Sequence, residues 1–390
     1  MKPHSAVWRL LFLLSTALFP FLVMGPLGDR LTNLPLRMFV FLLLVLAGAW
    51  LLQRGWQGLI YPTALLLSAL INGAAYKLAS FIPDVSAYPF SLAWSEISRY
   101  YYASLFFADK LYGTQLPLSV LHPTRYLMQS LPYLLNHSPL WLHRLWQVVL
   151  WVVVTGGTSW LLWWRLGKSR DQGAGVRRQV TGIAFVLFSF LFLFQGPVYY
   201  HLLVMVVLVL WGYDSQHPWR TLLVVLLASL WAGVSRINWL PVPGMLAAAL
   251  YLLDVPLSQP EAKAKFSALL RYLLHPALWV ILGTAAGILS QELYKPLSGN
   301  PPELFGSSFS SDLLWYRLLP NPTYPLGILP SAVLVSLPLL LLAVVKLWRD
   351  GWRLHPLRLL GLAGMLFVLF AGGVVVSVKI GGGSNLHNLD

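Results

Sequence analysis

The stretch VWRLLFLLSTALFPFLVMGPL, residues 7–27, decides the fold class. It carries a single charge, Arg9. A bilayer core takes about 20 apolar helical residues to cross, because only a helix pairs its backbone N–H and C=O groups within one segment. Its apolar residues run on without alternation, whereas barrel strands are roughly half as long and alternate. The run exceeds a signal-peptide core, and no small-x-small cleavage site with a soluble domain behind it follows, so it reads as a retained first span.

Runs of the same kind recur through all 390 residues, 57% of them hydrophobic and only 10% charged. That composition excludes a water-soluble domain. Spans are expected near 7–27, 36–52, 58–80, 139–164, 179–195, 197–212, 220–236, 240–254, 275–294, 324–348 and 356–378. The expectation is therefore an all-α polytopic integral membrane protein: one transmembrane domain over residues 1–390 with about 11 helices. A large loop at 81–138 and a second at 295–323 interrupt it. The tail GGGSNLHNLD, residues 381–390, follows the last span and reads as flexible backbone near a ligand. A further region beyond residue 390 is expected.

The net charge of +14 does not point to nucleic acid. The basic residues lie in short loops between spans, where the cytoplasmic bias of Lys and Arg accounts for them. With the N-terminus inside, the inner side receives Lys2, Arg9, Arg54, Arg165, Lys168, Arg170, Arg177, Arg178, Arg220, Lys263, Lys265, Arg271, Lys346, Arg349, Arg353 and Arg358, 16 of the 27 basic residues. Both long loops then face away from the cytoplasm, as does the C-terminus. Cysteine is absent, which excludes disulfides, thiolate metal sites and cysteine nucleophiles.

The large loop concentrates ionisable and aromatic side chains: Asp84, Glu96, Arg99, Asp109, Lys110, His122 and Arg125, among Trp94, Tyr100, Tyr101, Tyr102, Phe106, Tyr112 and Tyr126. The spacing from Ser98 to Tyr112 predicts an amphipathic surface helix, with Tyr101, Leu105, Ala108 and Tyr112 on one stripe. Pro117 and the His122-Pro123 step break it, and a second segment runs from Thr124 to Leu135.

Glu96 is the first candidate for chemistry, a carboxylate at lipid-headgroup depth that could take a proton from an acceptor hydroxyl as general base. The plain alternative is an acidic residue favouring a helix N-terminus. Asp84, in the Pro83-Asp84 turn after the third span, ranks second. A phosphate leaving group needs cations or fixed donors. The candidates are Arg99, His122 and Arg125 in the loop and Arg236 with Asn238 at the outer end of the seventh span. Trp94 could stack on a sugar. No metal is expected: His122, His137 and His143 lack acidic or His neighbours at ligand spacing. A divalent ion shared by Glu96 and a distant carboxylate is left open. No P-loop, dinucleotide fingerprint, nucleophile elbow or His-Glu-x-x-His motif is present.

The run Trp94-Ser95-Glu96-Ile97-Ser98-Arg99-Tyr100-Tyr101-Tyr102-Ala103, continuing to Leu111-Tyr112-Gly113, resembles the first outer loop of GT-C type glycosyltransferases, the many-span enzymes that use polyprenyl-phosphate sugars and include the protein mannosyltransferases. In that superfamily an acidic residue, often an Asp-Glu pair, precedes an aromatic helix that ends near a glycine. Here Glu96 matches the acid, Ser95 stands where the first acid is expected, and three spans instead of one precede the loop. The resemblance implies inverting sugar transfer on the outer face of a cytoplasmic membrane, with Glu96 as base and a lipid phosphate leaving. The partners are then a polyprenyl-phosphate sugar donor, membrane lipid, and a glycan, lipid or protein acceptor, with no cofactor. The competing classes are a transporter or flippase of lipid-linked glycans and a polysaccharide ligase or polymerase.

Overall fold

The computed structural model describes residues 3–56, 58–88, 94–168, 176–195, 198–257, 265–305, 312–322, 325–350 and 355–379. Among these residues the regular secondary structure is all helix, without a strand. Eight of the helices are long and apolar enough to cross a membrane by length and composition. The chain divides into two compact units, residues 1–90 with 139–194 and residues 91–138 with 195–390.

The first unit contains α1 (Pro3–Met24), α2 (Leu34–Gly55) and α3 (Tyr61–Ala79), then α7 (Leu140–Lys168) and α8 (Val176–Gln195). Asn33 caps α2 by accepting from the Leu36 amide at 3.1 Å, which satisfies one of the donors a helix start leaves over. Phe12, Ala49, Leu52, Ala64 and Leu67 bring α1, α2 and α3 into one core. Within it the Ser68 hydroxyl donates to Val45 O at 2.8 Å. At the far end of α2, Arg9 donates to Gly55 O at 3.0 Å and stacks over Trp56 at 4.5 Å. A cation there meets the carbonyls and negative dipole of a helix C-terminus, a packing role beyond the orientation bias that charge counting supplies.

The second unit holds α4 (Trp94–Ser104), α5 (Ala108–Tyr112), α6 (Pro123–Gln129), α9 (Tyr200–Gly212), α10 (Pro218–Ser235), α11 (Val242–Asp254), α12 (Lys265–Leu297), α13 (Ile328–Asp350) and α14 (Pro356–Lys379). The backbones of α10 and α12 nearly touch: a Cβ on Gly233 would lie 2.1 Å from Gly287 O. Small residues let helices approach closely where water supplies no drive between them. Ser290 on α12 adds a hydrogen bond to Leu230 O at 2.7 Å. Leu202, Met205, Val209 and Leu210 of α9 and Val225, Ala228 and Ala232 of α10 are fully buried.

Two expectations are corrected. The span near 275–294 is part of a longer helix, α12, which runs from Lys265 through Pro276 and Pro296 to Leu297; neighbouring helices tolerate such prolines in apolar surroundings. The surface helix expected over 98–112 starts at Trp94 and breaks: a tight turn at Leu105–Phe107 separates α4 from α5. That turn shifts the phase between them. The buried residues are consequently Ala103, Ser104, Leu105 and Ala108, while Tyr101 and Tyr112 from the expected stripe are 49% and 48% exposed. The expected spans near 58–80, 179–195 and 197–212 coincide with α3, α8 and α9, which are not among the eight helices that combine membrane-crossing length with high apolarity.

Candidate functional site

The site grows from one backbone position. His122 has φ +55°, a left-handed conformation that, among the described residues, no other non-glycine adopts. Such a conformation is costly for a side chain bearing a Cβ and persists only where the surroundings hold it. It turns the chain into α6, whose first residue is Pro123 and whose Arg125 amide bonds back to His122 O at 3.0 Å.

Four contacts then bind α6 to the start of α9 and the end of α10. Thr124 Oγ1 and Ser235 Oγ share a buried hydrogen bond of 2.7 Å. Gln129 Nε2 donates to the Tyr200 hydroxyl at 2.6 Å. The Arg125 guanidinium lies 4.3 Å over the Tyr199 ring, and the His122 and His201 rings are 5.7 Å apart. From α4, the Tyr102 ring packs at a tilt against Tyr126, centroids 5.0 Å apart.

What converges is positive charge. Arg125 is 7% exposed, hydrogen-bonds Tyr200, and has no hydrogen-bond partner for Nε among the described residues. Burial first, and then the charge of Arg125, press the Arg99 guanidinium below its ordinary value, with the phenols of Tyr199, Tyr200 and Tyr126 acting the other way. His201 has no solvent exposure and lies in the fields of His122, Arg125 and Arg236. Arg236 sits in an extended residue that ends α10, and Asn238 follows in a half-buried turn. Four of the residues predicted from sequence, Arg99, His122, Arg125 and Arg236, thus share one electrostatic neighbourhood. Cations gathered in an apolar protein repel one another, and an anion relieves that repulsion. A guanidinium is the side chain best shaped to take two phosphate oxygens at once.

Glu96 lies three residues before Arg99 on α4, so both fall on one side of the helix. Its Oε1 accepts a hydrogen bond from the Tyr100 hydroxyl, and Tyr100 O in turn accepts from the Tyr133 hydroxyl at 3.1 Å. Burial, with Tyr112 second, pushes the Tyr133 phenol up to about 12, so it stays a donor at neutral pH.

No family model, curated protein or solved structure matches the chain.

The remaining candidates are not among these residues. Asp84 belongs to the first unit, where it is exposed in the turn after α3. Just beyond it, Arg144 of α7 donates to Ser86 O at 2.6 Å and to Tyr88 O at 3.2 Å, clasping that segment. The side chain of Trp94 and residues 380–390, with their glycine motif, lie outside the described residues. A groove of about 660 Å³ runs between Phe106–Lys110, Gln115–Leu118 and Leu297–Gly299, and neither Glu96 nor Arg236 lines it. Among the described residues no group of three His, Cys, Asp or Glu side chains is placed to hold a metal.

Sequence reasoning did not single out Tyr199, Tyr200, His201 or Gln129. Tyr199-Tyr200-His201 follows the Gly196-Pro197 break between two apolar runs, and that interruption was the only available signal.

Proposed function

We propose that the chain is a membrane glycosyltransferase that moves a sugar from a polyprenyl-phosphate carrier to an acceptor on the extracytoplasmic face of a cytoplasmic membrane. The reading includes 11 spans, a cytoplasmic N-terminus, and α4 to α6 outside, as the distribution of basic residues suggests. The observation that carries it is the cluster of Arg99, Arg125, His122 and Arg236, with Glu96 one turn from Arg99.

In the proposed step Glu96 takes the proton of the acceptor hydroxyl, and the acceptor oxygen bonds to the sugar's anomeric carbon with inversion. The bond from that carbon to the phosphate oxygen breaks, and polyprenyl phosphate leaves with its charge spread over the guanidinium groups. Positioning and a preorganised charge field do most of the work. Tyr100 holds the carboxylate in place.

Incubation of the purified protein with a radiolabelled polyprenyl-phosphate sugar tests the reading. Transfer releases polyprenyl phosphate, whereas a flippase in proteoliposomes delivers intact lipid to the opposite leaflet. Glu96→Gln is expected to lower transfer by about a hundredfold or more while expression and thermal stability stay near wild type. Retained transfer removes Glu96 from the role of base.

A further inference from the structure

We infer that His201 is a ligand-binding residue, which takes an oxygen of a phosphate ester through its ring nitrogen within the cation cluster and lowers the stability of the empty protein. The inference rests on the phosphate reading above and adds a residue and a ligand geometry to it.

His201 has no solvent exposure, and neither Nδ1 nor Nε2 has a hydrogen-bond partner among the described residues. A buried polar atom left in that state is unfavourable, and natural structures keep one where a ligand or water completes it. Packing alone does not call for an imidazole there. The ring meets Tyr199 at 5.8 Å, Tyr200 at 6.1 Å and His122 at 5.7 Å, contacts that a phenyl ring would make as well.

The position itself favours an anion. His201 is in the first turn of α9, the positive end of the helix dipole, and Tyr199 before it offers no side-chain acceptor to the first amides. Arg125 supplies the second orphaned donor, its Nε, from α6. Arg236 adds its field from the end of α10. Donors from three separate elements suit a tetrahedral phosphate with several terminal oxygens, whereas a planar carboxylate has two. The helices around the site are apolar, so the ester's other end is expected to be a hydrocarbon chain.

The test uses the full chain in detergent, with farnesyl phosphate as probe and inorganic phosphate, dioleoyl phosphatidic acid and farnesol alongside. His201→Phe is expected to unfold at the same temperature as wild type or higher when empty. Its farnesyl phosphate Kd should rise about ten- to a hundredfold, the worth of one hydrogen bond to a charged group. A variant that is less stable when empty yet binds with unchanged affinity makes His201 a core residue and overturns the inference. Should the Phe variant not fold, His201→Gln decides by the same criterion of raised or unchanged Kd. Equal, His201-dependent binding of phosphatidic acid would keep the residue's role and assign the site to lipid headgroups, against a sugar-carrier enzyme. His201-dependent binding of farnesyl phosphate without sugar transfer would likewise sink the transferase reading alone. Failure of wild type to bind any phosphate would sink both.

Discussion

The two ends of the α9–α10 hairpin handle charge in opposite ways. At the turn, Asp214 accepts from the Gln216 amide at 2.9 Å, shares a 2.9 Å hydrogen bond with His217 Nδ1, and lies 3.5 Å from Arg220. Thr221 closes the turn with hydrogen bonds to both the N–H and the O of Asp214. At the other end the buried His201 ring lies in the fields of His122, Arg125 and Arg236, with the Tyr199 ring against Arg125. The first end is balanced within itself and needs nothing more to explain it. The second gathers guanidinium groups where burial makes repulsion costly, which is the feature that the proposed phosphate ligand would relieve.

The largest effect is expected from Arg125→Ala, which removes the guanidinium at the centre of the cluster. Farnesyl phosphate affinity should fall by roughly a hundredfold, given about 1.5–3 kcal/mol for each hydrogen bond to a charged group. Arg220→Ala at the balanced end should leave it unchanged, and a calorimetric titration of both variants compares the ends directly. Equal losses would erase the distinction between them.

Thr124→Val tests how the cluster is held together. It preserves shape and removes the bond to Ser235, at an expected cost of about 1 kcal/mol. Phosphate affinity should drop a few-fold as α6 loosens from α10. An unchanged affinity would mean that ring stacking alone aligns Arg125.

The smallest change is expected from Asp214→Asn. The Gln216 amide first, and then His217, hold the Asp214 carboxyl below its ordinary value. A lowered folded-state value contributes stability above the unfolded value of about 3.9 and loses it as pH falls through the folded value. The wild type should therefore show an acid-side decline in melting temperature, starting near pH 4, that the Asn variant lacks in part. Phosphate binding at neutral pH should not differ between the two.

Much of the fold was legible because long apolar runs have few ways to satisfy their backbone in lipid. The margins were less so. His275-Pro276 looked like the start of a span, yet α12 begins at Lys265, since helix continuation depends on neighbours that a hydropathy pattern does not contain. The break at Leu105–Phe107 was invisible for a similar reason: every residue there is compatible with a helix, and packing chose the tighter turn. Among the site residues, Arg99, Arg125 and His122 stood out in a loop dense in ionisable and aromatic side chains, and Arg236 as a cation at the end of a span. His201 did not, because a single histidine at the start of an apolar helix is ordinary until its ring nitrogens are found buried without partners.

Sequence by itself determined that this chain is a bundle of membrane-length helices, since hydrophobic length and backbone hydrogen bonding are local properties. Tertiary structure alone decided that residues as far apart in the chain as Arg99, Arg125, His201 and Arg236 share one electrostatic field. The physical reason is that charge interactions depend on distance through space, and that distance is set by the left-handed turn at His122 and the Thr124–Ser235 bond, which no local pattern encodes.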